Sequence, residues 1–229
     1  MKSADPVKVS FPSKNHQAQG YLVTPEGAGS FPAVVAIQEW WGIVPHMFDV
    51  ARRFAEAGYI CLIPDLYEGH TAEEPNEARK LAMALDRKKA TAEISAAMQF
   101  LRESNNVNPK QIGLVGWCMG AALSLSTSAL DDQVGATVCF YGRPLEASDT
   151  ANISAPILGL YGELDAGIPV SMVQDFEKEL TVNKVEHQIH IYPDAHHAFF
   201  NDSRPEAFHP KVSEDAWQRT LAWFAKHLN

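Results

Sequence analysis

Apolar residues in this chain follow two rhythms. Five runs are short and nearly continuous: Ala33 to Ile37, Tyr59 to Ile63, Gln111 to Val115, Val134 to Phe140 and Ala155 to Tyr161. Runs of that length, without a polar residue at every second place, are the pattern of strands covered on both faces. Between them the period becomes helical. Met47, Val50, Ala51, Phe54 and Ala55 recur on one side, with Arg52, Arg53 and Glu56 opposite, and Gly58 stops the segment. Glu73 to Glu103 is rich in helix formers and carries Leu81 and Leu85, then Ile94, Ala97, Met98 and Leu101, as apolar stripes, which predicts one broken helix or two. Further helices are predicted from Val170 to Leu180 and around Trp217, Leu221, Phe224 and Leu228. Alternation with period two marks Val7 to Phe11 and Gln19 to Val23, a hairpin turning at Ser13 to His16, and Val185 to Tyr192, an outer strand. Strands and helices alternate without repeat or linker. The prediction is a single domain over 1–229 of the α/β class, a mostly parallel, doubly wound sheet with an antiparallel N-terminal edge.

Composition narrows the partners. With 229 residues, 46% hydrophobic and 21% charged, the chain can bury a large core. A formal charge of −9 leaves no basic face for nucleic acid and opposes an anionic membrane surface. The N-terminus has no apolar signal core, and no apolar run reaches the length of a bilayer span. The three Cys lie far apart, without zinc-site spacing or a disulfide framework. These features predict a cytoplasmic protein, monomeric or a small homo-oligomer, acting on a small molecule without metal or cofactor. Asn152-Ile153-Ser154 and Asn201-Asp202-Ser203 match the glycosylation pattern, which means nothing without a secretory route.

Ligands of an open parallel sheet bind beyond the carboxyl ends of its strands, so polar residues just past the apolar runs are the candidates for chemistry. The run ending at Val115 leads into Gly116-Trp117-Cys118-Met119-Gly120, and Ala121 to Ser126 reads as a buried helix. This is the G-x-nucleophile-x-G elbow with a thiol at its centre, and the first N–H groups of the helix would face an anion formed there. Glu39 follows the run ending at Ile37. Asp165 stands in Gly162-Glu163-Leu164-Asp165, with Glu163 as a rival acid, and His196 and His197 follow the outer strand. A thiol needs an imidazole as base and a carboxylate to orient that imidazole, and these residues occur in the chain order nucleophile, acid, base. Asp165 could equally be a turn-former, and the Trp40-Trp41 pair could be plain core.

Beyond these, Gln38-Glu39-Trp40-Trp41-Gly42, Pro64-Asp65-Leu66-Tyr67, Phe140-Tyr141-Gly142 and His197-Ala198-Phe199-Phe200-Asn201-Asp202 complete a set that spans nearly the whole chain. Together they resemble the dienelactone hydrolase family, cysteine hydrolases of the α/β-hydrolase fold. The resemblance implies a triad of Cys118, Asp165 and His197. It implies that Glu39 accepts a hydrogen bond from the resting thiol and helps deprotonate it, and that the N–H groups of Trp40 and Met119 form the oxyanion hole. It also implies a small ester or lactone as substrate and a thioester intermediate, with Tyr141 beside the substrate. The chain departs from the family in three places. Ala121 stands after Gly120 where the family's elbow commonly ends in a further glycine, and the two arginines that hold a substrate carboxylate fall near Pro75 and at Asn201. Arg79, one helical turn on, and Arg204, just after Asn201, are then candidates for a displaced clamp, with Asn201 itself at the substrate. A glutaminase-type amidotransferase is disfavoured because no His is followed two residues later by Glu. The remaining rival is a ligand-binding or sensing protein that keeps the fold and the pocket.

Overall fold

The computed structural model describes residues 1–228. The chain opens with β1 (Val7–Ser13), β2 (His16–Val23), β3 (Phe31–Ile37), α1 (Pro45–Glu56) and β4 (Ile60–Pro64), followed by α2 (Pro75–Ala84) and α3 (Arg87–Glu103). It continues through β5 (Val107–Trp117), α4 (Met119–Leu130), β6 (Val134–Phe140), α5 (Ala147–Thr150), β7 (Ile157–Gly162), α6 (Val170–Val182), β8 (His187–Tyr192) and α7 (Pro210–His227). The eight strands form one sheet in the order β1-β2-β4-β3-β5-β6-β7-β8. Every pairing from β4 to β8 is parallel, and β2 runs against both of its neighbours.

Side chains of a strand point alternately to its two faces, so each central strand feeds two cores. Val34 and Ala36 of β3 and Val115 and Trp117 of β5 join the core beneath α1 and α7. Ala33, Val35 and Ile37, with Ile112 and Leu114, join the one beneath α3. α4 and α6 extend that second layer over β6 and β7. The apolar face expected of α1 is buried as a set.

The stretch from Glu73 to Glu103 is two helices. They break at Leu85-Asp86, where the Asp86 carboxylate accepts from the N–H groups of Lys88 and Lys89 and caps α3. β5 begins earlier than its apolar run, because Val107 pairs with Phe31 of β3 before a register shift, after which the ladder resumes at Ile112 and Ala33. The one-turn α5 has too short a pattern to read from sequence. Among the described residues no helix is long and apolar enough to cross a membrane.

Phe54 is fully buried, edge-on to Trp217 at 4.6 Å and near Tyr59 and Phe224. It joins α1 to α7 across the sheet face. Phe54→Ala is expected to lower unfolding free energy by about 3–5 kcal/mol in urea titrations. A loss under about 1 kcal/mol would mean that the layer closes over the gap.

Candidate active site

Strand order reverses at β3: the chain passes first to β4 on one side and later to β5 on the other. The crevice between the carboxyl ends of β3 and β5 is therefore where a doubly wound sheet receives its ligand. Glu39 and Trp40 leave β3 on one side, and Cys118 sits between β5 and α4 on the other. Cys118 has φ 53° and ψ −113°, a backbone conformation that L-residues avoid. Such a turn requires close approach. A Cβ on Gly116 would lie 2.3 Å from the backbone of Gly120, and one on Gly120 would lie 2.2 Å from the carbonyl oxygen of Ile37. Both glycines of the elbow are thus dictated by contact. Ala121 is accommodated by its neighbour: a Cβ on Gly142 would lie 2.4 Å from the Ala121 methyl, so the bare backbone there makes the room.

Asp165 serves both readings made of it. Its Oδ1 accepts from the N–H groups of Gly167 and Ile168 at 2.8 and 3.0 Å, closing the turn after β7. Its Oδ2 accepts from His197 Nδ1 at 2.6 Å. Of the two histidines, His196 is exposed and His197 is the one held by Asp165, with its ring against Tyr141. Burial pulls the His197 pKa down, but the hydrogen bond to Asp165 and the nearby Cys118 sulfur outweigh it and raise the pKa to about 10. Glu163 is exposed and makes no such contact.

Glu39 is buried, and both of its oxygens are occupied. Tyr141 donates its hydroxyl to Oε1 at 3.1 Å, and Asn201 donates Nδ2 to Oε2 at 2.6 Å. The expected hydrogen bond from the Cys118 thiol is not among those Glu39 makes. Tyr141 and Asn201, expected at the substrate, stand behind Glu39 instead, Tyr141 fully buried and Asn201 1% exposed. Ser203, which sequence reasoning missed, sets the amide: its N–H and hydroxyl both donate to Asn201 Oδ1, which leaves the amide nitrogen for Glu39. The one sequence signal for this was the Asn-x-Ser spacing of a side-chain turn. The same burial removes Asn201 as a glycosylation acceptor in the folded chain.

Glu39, Trp40, Trp41, Cys118, His197 and Arg204 line one cavity of about 460 Å³, with Glu206 at its edge. The two indoles meet edge to face, and Ala78 and Leu81 of α2 pack on them. The N–H groups of Trp40 and Met119 have no backbone acceptor among the described residues. Tyr67 hydrogen-bonds the Met119 sulfur at 3.3 Å, and its pKa is pushed up to about 12 by burial and then by Cys118, which marks it as a neighbour of the thiol. Arg204 lies over Trp41 at 4.6 Å and pairs with Glu206 at 2.7 Å. Arg79 is exposed on α2 and does not line the cavity, because Ala78 takes the inward position. Among the described residues no group of His, Cys, Asp and Glu is arranged to hold a metal ion.

Comparison with known proteins agrees with this architecture. "Protein usf" of Aquifex pyrophilus is 33% identical over 228 residues, covering 96% of this chain and 98% of that protein. A Synechocystis protein named "Putative carboxymethylenebutenolidase" is 32% identical over 96% of each chain. The crystal structure titled "Putative Dienelactone Hydrolase", from Klebsiella pneumoniae, superposes with a TM-score of 0.90 at 27% identity, covering 99% of this chain and 100% of that one. The profile of the dienelactone hydrolase family matches residues 18–228. With nearly its whole length matched, the chain belongs to the dienelactone hydrolase family, hydrolases of lactones and esters built on the α/β-hydrolase fold.

Proposed function

We propose that the protein hydrolyses small esters or lactones through a thioester on Cys118. The observation that carries this reading is the shared cavity: the elbow sulfur, an imidazole fixed by Asp165 and Trp40, whose N–H has no backbone acceptor, line one space, and the likewise unengaged N–H of Met119 follows the sulfur in the chain. In the first step the Cys118 sulfur, as thiolate, attacks the carbonyl carbon and a C–S bond forms. The oxygen gains negative charge within reach of the Trp40 and Met119 N–H groups. The C–O bond then breaks, and the alkoxide takes the proton of the His197 imidazolium. In a lactone, alcohol and thioester stay in one molecule. Water next attacks the thioester, giving a proton to the now neutral His197, and the C–S bond breaks to release the acid and the thiolate.

Electrostatics suit both steps. Once the Cys118 sulfur is ionised for attack, its charge helps keep His197 protonated. Acylation turns that sulfur into an uncharged thioester, its support is lost, and the imidazole becomes a better proton donor to the alkoxide and then a usable base. Glu39 would act in acylation only, as the carboxylate that receives the thiol proton before attack and returns it to the sulfur once the thioester is cleaved, with Tyr141 and Asn201 holding it in place. The cavity offers one arginine, Arg204, to a substrate carboxylate, and Glu206 must first release it.

Four outcomes test this. Cys118→Ala should lower p-nitrophenyl acetate turnover about a thousandfold or more, and residual activity within about tenfold of the parent would exclude a thioester route. Glu39→Gln should slow acylation in single-turnover kinetics and leave deacylation nearly unchanged; equal losses would make Glu39 a structural residue. For pH, the raised His197 pKa means that the protonated acid is present below it and lost above. Acylation should therefore hold through neutral pH and decline as pH rises through about 10. The stabilisation from this group follows the same sign, complete below the ordinary histidine range and lost as pH rises through about 10. Finally, Arg204→Ala should lower kcat/KM for a carboxylate-bearing lactone about tenfold or more while sparing neutral esters, whereas Arg79→Ala should spare both. Equal effects of Arg204→Ala on charged and neutral substrates would assign the carboxylate elsewhere.

A further inference from the structure

A second cavity of about 460 Å³ opens between β2, the loop after β4 and the first half of α3, and shares no lining residue with the Cys118 cavity. Three carboxylates face it. Two are answered from within the protein: Glu93 lies 2.6 Å from His16 Nε2 and 3.7 Å from Lys89 Nζ, and Glu68 receives Lys89 Nζ at 2.5 Å. The third, Asp65, is not. Asp65 is 7% exposed, and its hydrogen bonds are backbone ones, to Gln19 and Glu68. Nothing among the described residues donates to its carboxylate.

A carboxylate with this little access to water, opening into a cavity and met by no protein donor, is a ready receiver for a donor or an opposite charge that enters there. Lys89 cannot turn to it without leaving Glu68, whose hydrogen bond is the main reason its pKa is raised. Even with His16 protonated, three carboxylates face two cations, so at least one negative charge stands uncompensated. The side chains are not arranged for a metal ion. We infer that this cavity binds a small organic cation with N–H donors, an ammonium or guanidinium group received by Asp65. The amides of Gln17 and Gln19 on the β2 wall supply adaptable hydrogen bonds to the rest of the molecule.

Agmatine carries both cationic groups and is the probe. Titrated into ¹⁵N-labelled protein, it should give saturable shifts at Gln17, Gln19 and residues 65–68, with Kd in the range of about 1–10 mM. Asp65→Asn should weaken binding about tenfold or more, and Asp132→Asn, an exposed acid elsewhere, should not. Lys89→Gln should tighten it, since the cavity then loses an internal cation. This opposite sign keeps the test decisive if Asp65→Asn does not fold. Butylamine and methylguanidinium, titrated singly, show which end Asp65 receives. The inference is overturned by the absence of saturable shifts up to about 50 mM agmatine. It is likewise overturned by equal weakening in Asp65→Asn and Asp132→Asn, by weaker binding in Lys89→Gln, or by the same shifts with potassium chloride, which would mean solvent or an inorganic ion only.

Discussion

The site depends on one backbone turn. A left-handed residue other than glycine costs about 1–3 kcal/mol, and it persists only when its surroundings leave no alternative. At Cys118 the surroundings are β5 entering and α4 leaving, so close that neither Gly116 nor Gly120 could carry a methyl group. The contact from Gly120 falls on the carbonyl of Ile37, the last residue of β3. The turn that exposes the sulfur is thereby also what presses α4 against the end of β3, and so brings Glu39 and Trp40 beside the thiol. Relaxing it would separate the two walls of the crevice.

Around that turn the charged groups are held in different ways. Asp165 divides its oxygens, one for its own loop and one for His197, so the orientation of the imidazole is tied to the local fold of the turn after β7. Glu39 is held by neutral donors from the residue just after β6 and from the loop after β8, with Ser203 behind Asn201. Neither carboxylate depends on a surface ion pair, so salt should disturb them little.

The layers of the fold were legible because burial on two faces leaves an unbroken apolar run, and burial on one leaves a helical stripe. The elbow, Asp165 and His197 stood at strand ends, where a polar residue has few structural reasons to be. The placements that sequence could not give depend on which way a side chain turns from a known position. Arg79 was credited with facing the pocket from its spacing alone, but α2 presents Ala78 and Leu81 to the tryptophans and turns Arg79 to solvent. Tyr141 and Asn201 lie next to the substrate in sequence terms and behind Glu39 in space, because the loops carrying them fold under the crevice. Ser203 acts through a hydrogen bond to one amide, which no periodicity reveals.

The lock on Asn201 has a chemical corollary. Its amide differs from a carboxylate by one group, which an Asn201→Asp substitution would supply. In this position the aspartate would set a second acidic side chain 2.6 Å from Glu39, with Ser203 still donating to its other oxygen. Two carboxyl groups at that distance cannot both be ionised and must share a proton, as in an acid dyad. That single change would therefore convert a passive tether into a titrating pair beside the thiol.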